Sequence, residues 1–278
     1  MTAGVEPVRE LRERTGAGIM DCKAALQESG GDMEKAIDFL RKKGVASAAK
    51  RSGREAKEGL VGVEVHGADA VLAEANCETD FVARTSDFKA LLQLTIQETF
   101  AQGDKAVSSQ KITDRVAELS GKIGEKIVVR RAKKIHASGV LFSYVHSNQK
   151  LGVAIELIFS KVDSQKNAVF QELGRNLAMQ VAASNPLCIT RSEVPSAAIE
   201  REKSIYREEV KGKPENIIEK ILSGKLEKFY QGHCFLEQVF IKDDKKSVKS
   251  LLEEVSKQIG DTIQIKQFVR FQLVETVA

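Results

Sequence analysis

Few residues in this chain have the types and spacing needed for covalent chemistry, and the segment that stands out suits docking instead. Asn76-Cys77-Glu78-Thr79-Asp80-Phe81-Val82-Ala83-Arg84 sets a bulky aromatic beside a carboxylate where a strand is expected to end. Connections between packed elements usually lie at the surface, so such a pair would protrude into a partner. A second arrangement is open at this level: Phe81 would staple the start of the next helix into the core, with Asp80 as a helix cap.

Enzyme chemistries find little support. A nucleotide hydrolase needs a Gly-rich phosphate cradle ending in Gly-Lys-Ser or Gly-Lys-Thr, and Gly121-Lys122, Gly212-Lys213 and Gly224-Lys225 lack both the hydroxyl residue and the upstream Gly. His66, His136, His146 and His233 are scattered, without the paired spacing of a zinc hydrolase. Cys22, Cys77, Cys188 and Cys234 form no Cys-x-x-Cys or Cys-His set, so they are expected as reduced, buried residues, with no metal and no cofactor. A Cys–His nucleophile pair formed across the fold, such as Cys77 with His146, stays open.

Charge is nearly balanced, with 43 basic residues against 39 acidic ones, so any polyanion affinity must be local. Arg41, Lys42, Lys43, Lys50, Arg51, Arg54 and Lys57 cluster, either to meet phosphates or an acidic surface, or as a solvated linker. An aromatic fraction of 5% without Trp leaves few bases-stacking platforms, so direct nucleic-acid binding is not required. There is no apolar run long enough for a membrane, and Met1 to Glu13 has no signal-peptide core, so a cytoplasmic location is the default.

The elements that must position the docking segment follow from pattern. At 278 residues the chain is expected to divide into more than one compact unit. Residues 1–44 read as three short helices: Val8 and Leu11 mark the first, Ile19, Cys22 and Leu26 the second, and Asp32 caps a third that Gly44 stops. Residues 45–58, rich in Ala, Ser, Lys and Arg, read as a linker. In residues 59–137, Leu60 to Val65 and Val71 to Cys77 alternate around Gly67-Ala68-Asp69 as a hairpin does, and Leu91, Leu92, Ile96 and Phe100 then recur at helical spacing, with Thr79 or Ser86 as the cap. A helix near Lys111 to Gly121 and a strand from Lys126 to Ile135 complete the unit. Residues 138–278 repeat the order: a hairpin of Val140 to His146 and Leu151 to Ser160, a helix to Ser184, then a helix from Ser247 to Gln258 and a strand through Ile263 to Val274. Inserted at 192–226 is a helical hairpin whose first arm is charged on most faces. The fold class is therefore α+β, with a small helical bundle, two related subdomains and an inserted helical arm.

The docking segment resembles a signature of the bacterial elongation factor Ts family, with its Thr-Asp-Phe-Val core at Thr79 to Val82. A second signature of that family is matched by Leu11-Arg12-Glu13-Arg14-Thr15-Gly16-Ala17-Gly18-Ile19-Met20-Asp21-Cys22-Lys23-Ala24-Ala25-Leu26. Weaker likeness continues through Tyr144-Val145-His146, Met179 to Ser184, Gly212-Lys213-Pro214 and Phe268 to Phe271; Ala75 departs, standing where the family carries a larger aliphatic residue. The resemblance implies a ubiquitin-associated type of bundle at the start and an antiparallel coiled coil at the insertion. It also implies a nucleotide exchange factor for elongation factor Tu, binding its GDP-bound and nucleotide-free forms without covalent chemistry. Thr79, Asp80, Phe81 and Val82 would enter a groove of the Tu nucleotide domain, with Phe81 as wedge, and would dislodge Mg2+. Arg12, Gly18, Met20, Asn76 and His146 would be further partner contacts. Some family members carry another helical module after the last strand; this chain stops at Val274 to Ala278, so that contact is left out of the expected interface. The rival reading is an adaptor that binds a protein through its N-terminal bundle and nucleic acid through its basic linker. Self-association is left open.

Overall fold

Helix-forming sequence, interrupted by glycine, sets the beginning of the fold. The computed structural model describes residues 4–212 and 214–275; Lys213 of the Gly212-Lys213-Pro214 motif and residues 276–278 lie outside the described residues. Helices α1 (Val5–Thr15), α2 (Ile19–Glu28) and α3 (Met33–Lys50) bury Leu11, Cys22, Ala25, Leu26 and Ala36 between them. Gly16 ends α1 in the left-handed region at φ 67, where its N–H reaches the Arg12 carbonyl. Asp32 accepts the Lys35 N–H at 3.0 Å, as expected of a cap.

One expectation fails here. Gly44 does not stop α3, which runs on through the first part of the expected 45–58 linker to Lys50. The reason is tertiary. A Cβ on Gly44 would lie 3.3 Å from the Ala117 carbonyl oxygen, and one on Gly121 would lie 3.1 Å from the Gly44 Cα, so the two glycines let α3 cross close to α6 (Gln110–Ile123). Packing against α6 outweighs the roughly 1 kcal/mol that glycine costs within a helix. The basic cluster is largely occupied internally: Arg41 pairs with Asp114, Lys43 with Asp21, Arg54 with Glu78 and Lys57 with Glu55, and Arg51 donates to the Ser120 carbonyl.

Two antiparallel three-stranded sheets follow. The first has the order β1 (Glu58–His66), β2 (Asp69–Cys77), β3 (Val128–His136); the second has β4 (Val140–Val145), β5 (Leu151–Phe159), β8 (Ile263–Gln272). They stack face to face through Val61, Ala70, Leu72 and Ile135 against Ala154 and Phe271. A side chain at Gly152 would strike Val63 at 2.5 Å, so glycine sets how closely the sheets approach. Buried Glu74 spans the seam, bound by Arg131 at 2.6 Å and by the Val274 N–H at 2.8 Å. The outer face of the first sheet is covered by α5 (Ser86–Gln102) through Leu91, Leu92 and Ile96. That of the second is covered by α7 (Ala168–Ser184) and α10 (Val248–Ile259). The architecture is α+β.

The insertion is a helical pair, α8 (Ser196–Glu209) and α9 (Glu215–His233), with α9 running well past the expected limit at 226. No residue of α8 is buried, whereas α9 buries Leu222 and Phe229. Its two ends meet at a neck, where the Leu187 N–H donates to the His233 carbonyl and the Phe235 N–H to the Cys188 carbonyl, both at 2.9 Å. Arg191 locks this neck to Glu227 and Glu237 and lies 4.6 Å over the Tyr230 ring. The small hairpin β6 (Val239–Phe240) and β7 (Asp243–Ser247) was not expected, because two apolar residues are too few to show alternation. Among the described residues no helix is long and apolar enough to cross a membrane.

Candidate functional site

The docking segment forms where β2 runs out of partners. The ladder closes with Cys77 opposite Glu58 and Asn76 opposite Val128, and the chain then makes a single helical turn, α4 (Asp80–Ala83). Thr79 caps it, its Oγ1 accepting the Val82 N–H at 3.4 Å. Thr85 closes it by donating to the Val82 carbonyl at 2.8 Å, and its oxygen accepts the Phe88 N–H that opens α5. Thr79, one of the two expected caps, therefore caps the short α4, the role also considered for Asp80, while α5 is capped by Thr85 in place of Ser86.

This turn decides which apolar side chain faces inward. Val82 and Ala83 join Phe88 and Leu91 in the core, while Phe81 is 79% exposed. The core-stapling alternative for Phe81 is therefore excluded, and Val82 anchors the tip from below instead of presenting itself. Asp80 stands beside Phe81 and pairs with Arg84 at 2.7 Å on the surface. Thr79 is half-buried at the base.

The remaining expected contacts divide by burial. Arg12, Gly18 and Met20 are exposed around the corner where α1 gives way to α2, and Met20 is 73% exposed beside exposed Ile19. His146 is exposed on the β4–β5 turn, its Nδ1 2.9 Å from the Tyr144 hydroxyl. Asn76 is a correction: it is buried, with its side-chain amide nitrogen and oxygen both unpartnered, and offers no surface for direct contact.

Cys77 and His146 are not brought together. The Cys77 thiol is buried against the Thr79 carbonyl oxygen at 3.1 Å, and burial, aided by the Glu125 and Glu58 carboxylates, pushes it up to about 12. A thiol so protonated is a poor nucleophile. Cys188 and Cys234, far apart in sequence, meet with sulfurs 3.7 Å apart in the neck of the helical arm. Among the described residues no group of three or more His, Cys, Asp or Glu is arranged to hold a metal.

Sequence reasoning missed Glu125. It lies between α6 and β3, and its carboxylate accepts the Glu78 and Thr79 N–H groups and the Thr79 hydroxyl at 3.1, 3.0 and 2.7 Å. Nothing local marks it, since the contact joins residues remote in the chain.

The site is thus a solvent-facing aromatic braced on an α+β core. Comparison with known proteins gives the family. The family model described as Elongation factor TS matches residues 78–275. The chain is 43% identical over 283 residues to Elongation factor Ts of Prosthecochloris aestuarii, covering 96% of each chain. It is 45% identical over 278 residues to that of Nitratidesulfovibrio vulgaris (98% and 96% covered) and 40% identical over 286 residues to that of Clostridium kluyveri (97% and 92% covered). The chain belongs to the elongation factor Ts family, the translation elongation factors of that name.

Proposed function

We propose that this protein is a guanine nucleotide exchange factor for elongation factor Tu, acting in the cytoplasm without covalent chemistry. Such a factor binds the nucleotide-free partner better than the loaded one, and linkage then makes the nucleotide bind more weakly in the complex. Phe81 is the wedge. Its exposure on a turn held from beneath by Val82 is the observation that carries this reading. Burying a Phe side chain in a partner's groove is worth about 1.5 to 3 kcal/mol, a scale similar to ordinary coupling energies between sites. Asp80 binds the displaced segment of the partner. In GTPases of this kind Mg2+ bridges phosphate oxygens to protein, so shifting the segment that holds it loosens ion and nucleotide together. Arg12, Gly18, Met20 and His146 supply secondary contacts.

The test is release of a fluorescent GDP analogue from purified elongation factor Tu in excess unlabelled nucleotide. Substoichiometric amounts of this protein are expected to accelerate release strongly. Phe81→Ala is expected to fold normally and to lose about tenfold to a hundredfold of that acceleration, the equivalent of the lost burial. Unchanged release with the wild-type chain would overturn the proposal; full activity in Phe81→Ala would reject the wedge.

A further inference from the structure

Beyond the last rung of the β2–β3 ladder, two successive backbone N–H groups need an acceptor, and one carboxylate supplies it. Glu125 Oε2 accepts from Glu78 and Thr79, and Glu125 Oε1 accepts the Thr79 hydroxyl. The exchange is reciprocal: Glu78 Oε1 accepts the Lys126 N–H at 2.6 Å and also takes Arg54 at 3.1 Å. Lys126 Nζ in turn donates to the Arg54 carbonyl at 2.7 Å. Residues 78–79, 125–126 and the end of the N-terminal connection are thus clasped at one point.

The second unit has the same device in the same place. Asp261, between α10 and β8 as Glu125 is between α6 and β3, accepts the Ser160 and Lys161 N–H groups, each at 3.0 Å, and the Ser164 hydroxyl. There the clasped turn presents no exposed aromatic. The fold therefore uses a carboxylate to fix the chain leaving each middle strand, and in the first unit the chain so fixed carries Phe81.

We infer that Glu125 is a positioning residue for exchange, holding the Thr79–Val82 turn in the conformation that presents Phe81; this rests on the exchange function proposed above. A four-residue helical turn is too short to hold itself. Thr79 Oγ1 accepts the Val82 N–H while donating its own proton to Glu125, so the carboxylate orients the cap as well as the backbone before it. Without Glu125 the partner would have to order the tip during binding, at a cost to the rate.

The full-length variants Glu125→Ala, Glu125→Gln, Asp261→Ala and Phe81→Ala are compared for maximal GDP-analogue release from elongation factor Tu at saturating factor, for thermal unfolding, and for amide hydrogen exchange. Glu125→Ala is expected to lower the maximal rate about tenfold, the scale of one or two charge-assisted hydrogen bonds, and Glu125→Gln, which keeps one acceptor oxygen, by less. Asp261→Ala is expected to lower the unfolding midpoint while leaving the maximal rate within about twofold. Amides of Glu78, Thr79 and Val82 are expected to lose protection in Glu125→Ala. An unchanged rate in Glu125→Ala, or an equal loss in Asp261→Ala, would overturn the inference by making the clasp either idle or merely a fold support. If Phe81→Ala exchanges normally, the wedge has failed, and unchanged protection at the three amides would separately overturn the clasp.

Discussion

The two halves of the core each lay a helix of the same length on an antiparallel three-stranded sheet, and differ in what they hang from it. Helices α5 and α7 are each 17 residues long, capped by Thr85 and Asn167, and each buries a phenylalanine fully at its third position, Phe88 and Phe170. In each sheet the strand paired with the middle one bulges by one residue, Arg130 of β3 and Lys266 of β8, beside a buried glutamate of the middle strand, Glu74 in one and Glu156 in the other. Both carboxylates are satisfied, Glu74 by Arg131 and Glu156 by the Ser138 and Gly139 N–H groups and Gln267. Packing bulk is distributed oppositely. In the first unit Gly62 lies in the strand beneath Leu92 and Ile96 of the helix; in the second Gly174 lies in the helix over Phe142 of the strand. A common framework with interchangeable filling leaves the turn after the middle strand free to specialise, and only the first unit places an aromatic there in solvent.

That equivalence can be broken most forcefully in the cores. Phe88→Ala and Phe170→Ala are each expected to cost about 3–5 kcal/mol, read by urea unfolding, because each leaves a ring-sized cavity in a packed helix–sheet layer. A loss below about 1 kcal/mol at either position would show that the two frameworks do not share their stability in the same way. A smaller effect tests the exchanged filling. Gly174→Ala places a methyl group 2.3 Å from the Phe142 ring, so it is expected to destabilise by about 1–3 kcal/mol despite the better helix propensity of alanine. The smallest effect sharpens the comparison of clasps through pH. Donation by the Ser164 hydroxyl, and then by backbone N–H groups, pushes the Asp261 carboxyl down to about 2 from its ordinary 3.8. A depressed carboxyl stabilises the fold above its unfolded value and loses that contribution as pH falls through the folded one. The difference in unfolding midpoint between wild type and Asp261→Asn is therefore expected at pH near 6 and should shrink as pH falls from about 4 toward 2. A difference that persists at the acid end would place the stabilisation elsewhere.

Much of the frame was legible because it is local. Alternation in Leu60 to Val65 and Val71 to Cys77 gave β1 and β2, and the three-and-four spacing of Leu91, Leu92, Ile96 and Phe100 gave α5, each within a few residues of the observed limits. The failures share a cause. Gly44 reads as a stop, yet continues as helix because Gly121 of α6 lies against it, and β6–β7 carries too little apolar sequence to announce itself. Asn76 stands within the docking motif, and only the packed sheet shows that it is buried.

The sequence by itself determined the α+β order of elements, the repeated hairpin-then-helix arrangement and the presence of Thr79, Asp80, Phe81 and Val82 at a strand end, since each rests on periodicity or adjacency along the chain. Which of Phe81 and Val82 would face solvent was settled by the tertiary structure alone. Both are apolar and adjacent, and their sides are assigned by the core beneath α5 and by a carboxylate 46 residues beyond Thr79, contacts that exist only once the chain has closed upon itself.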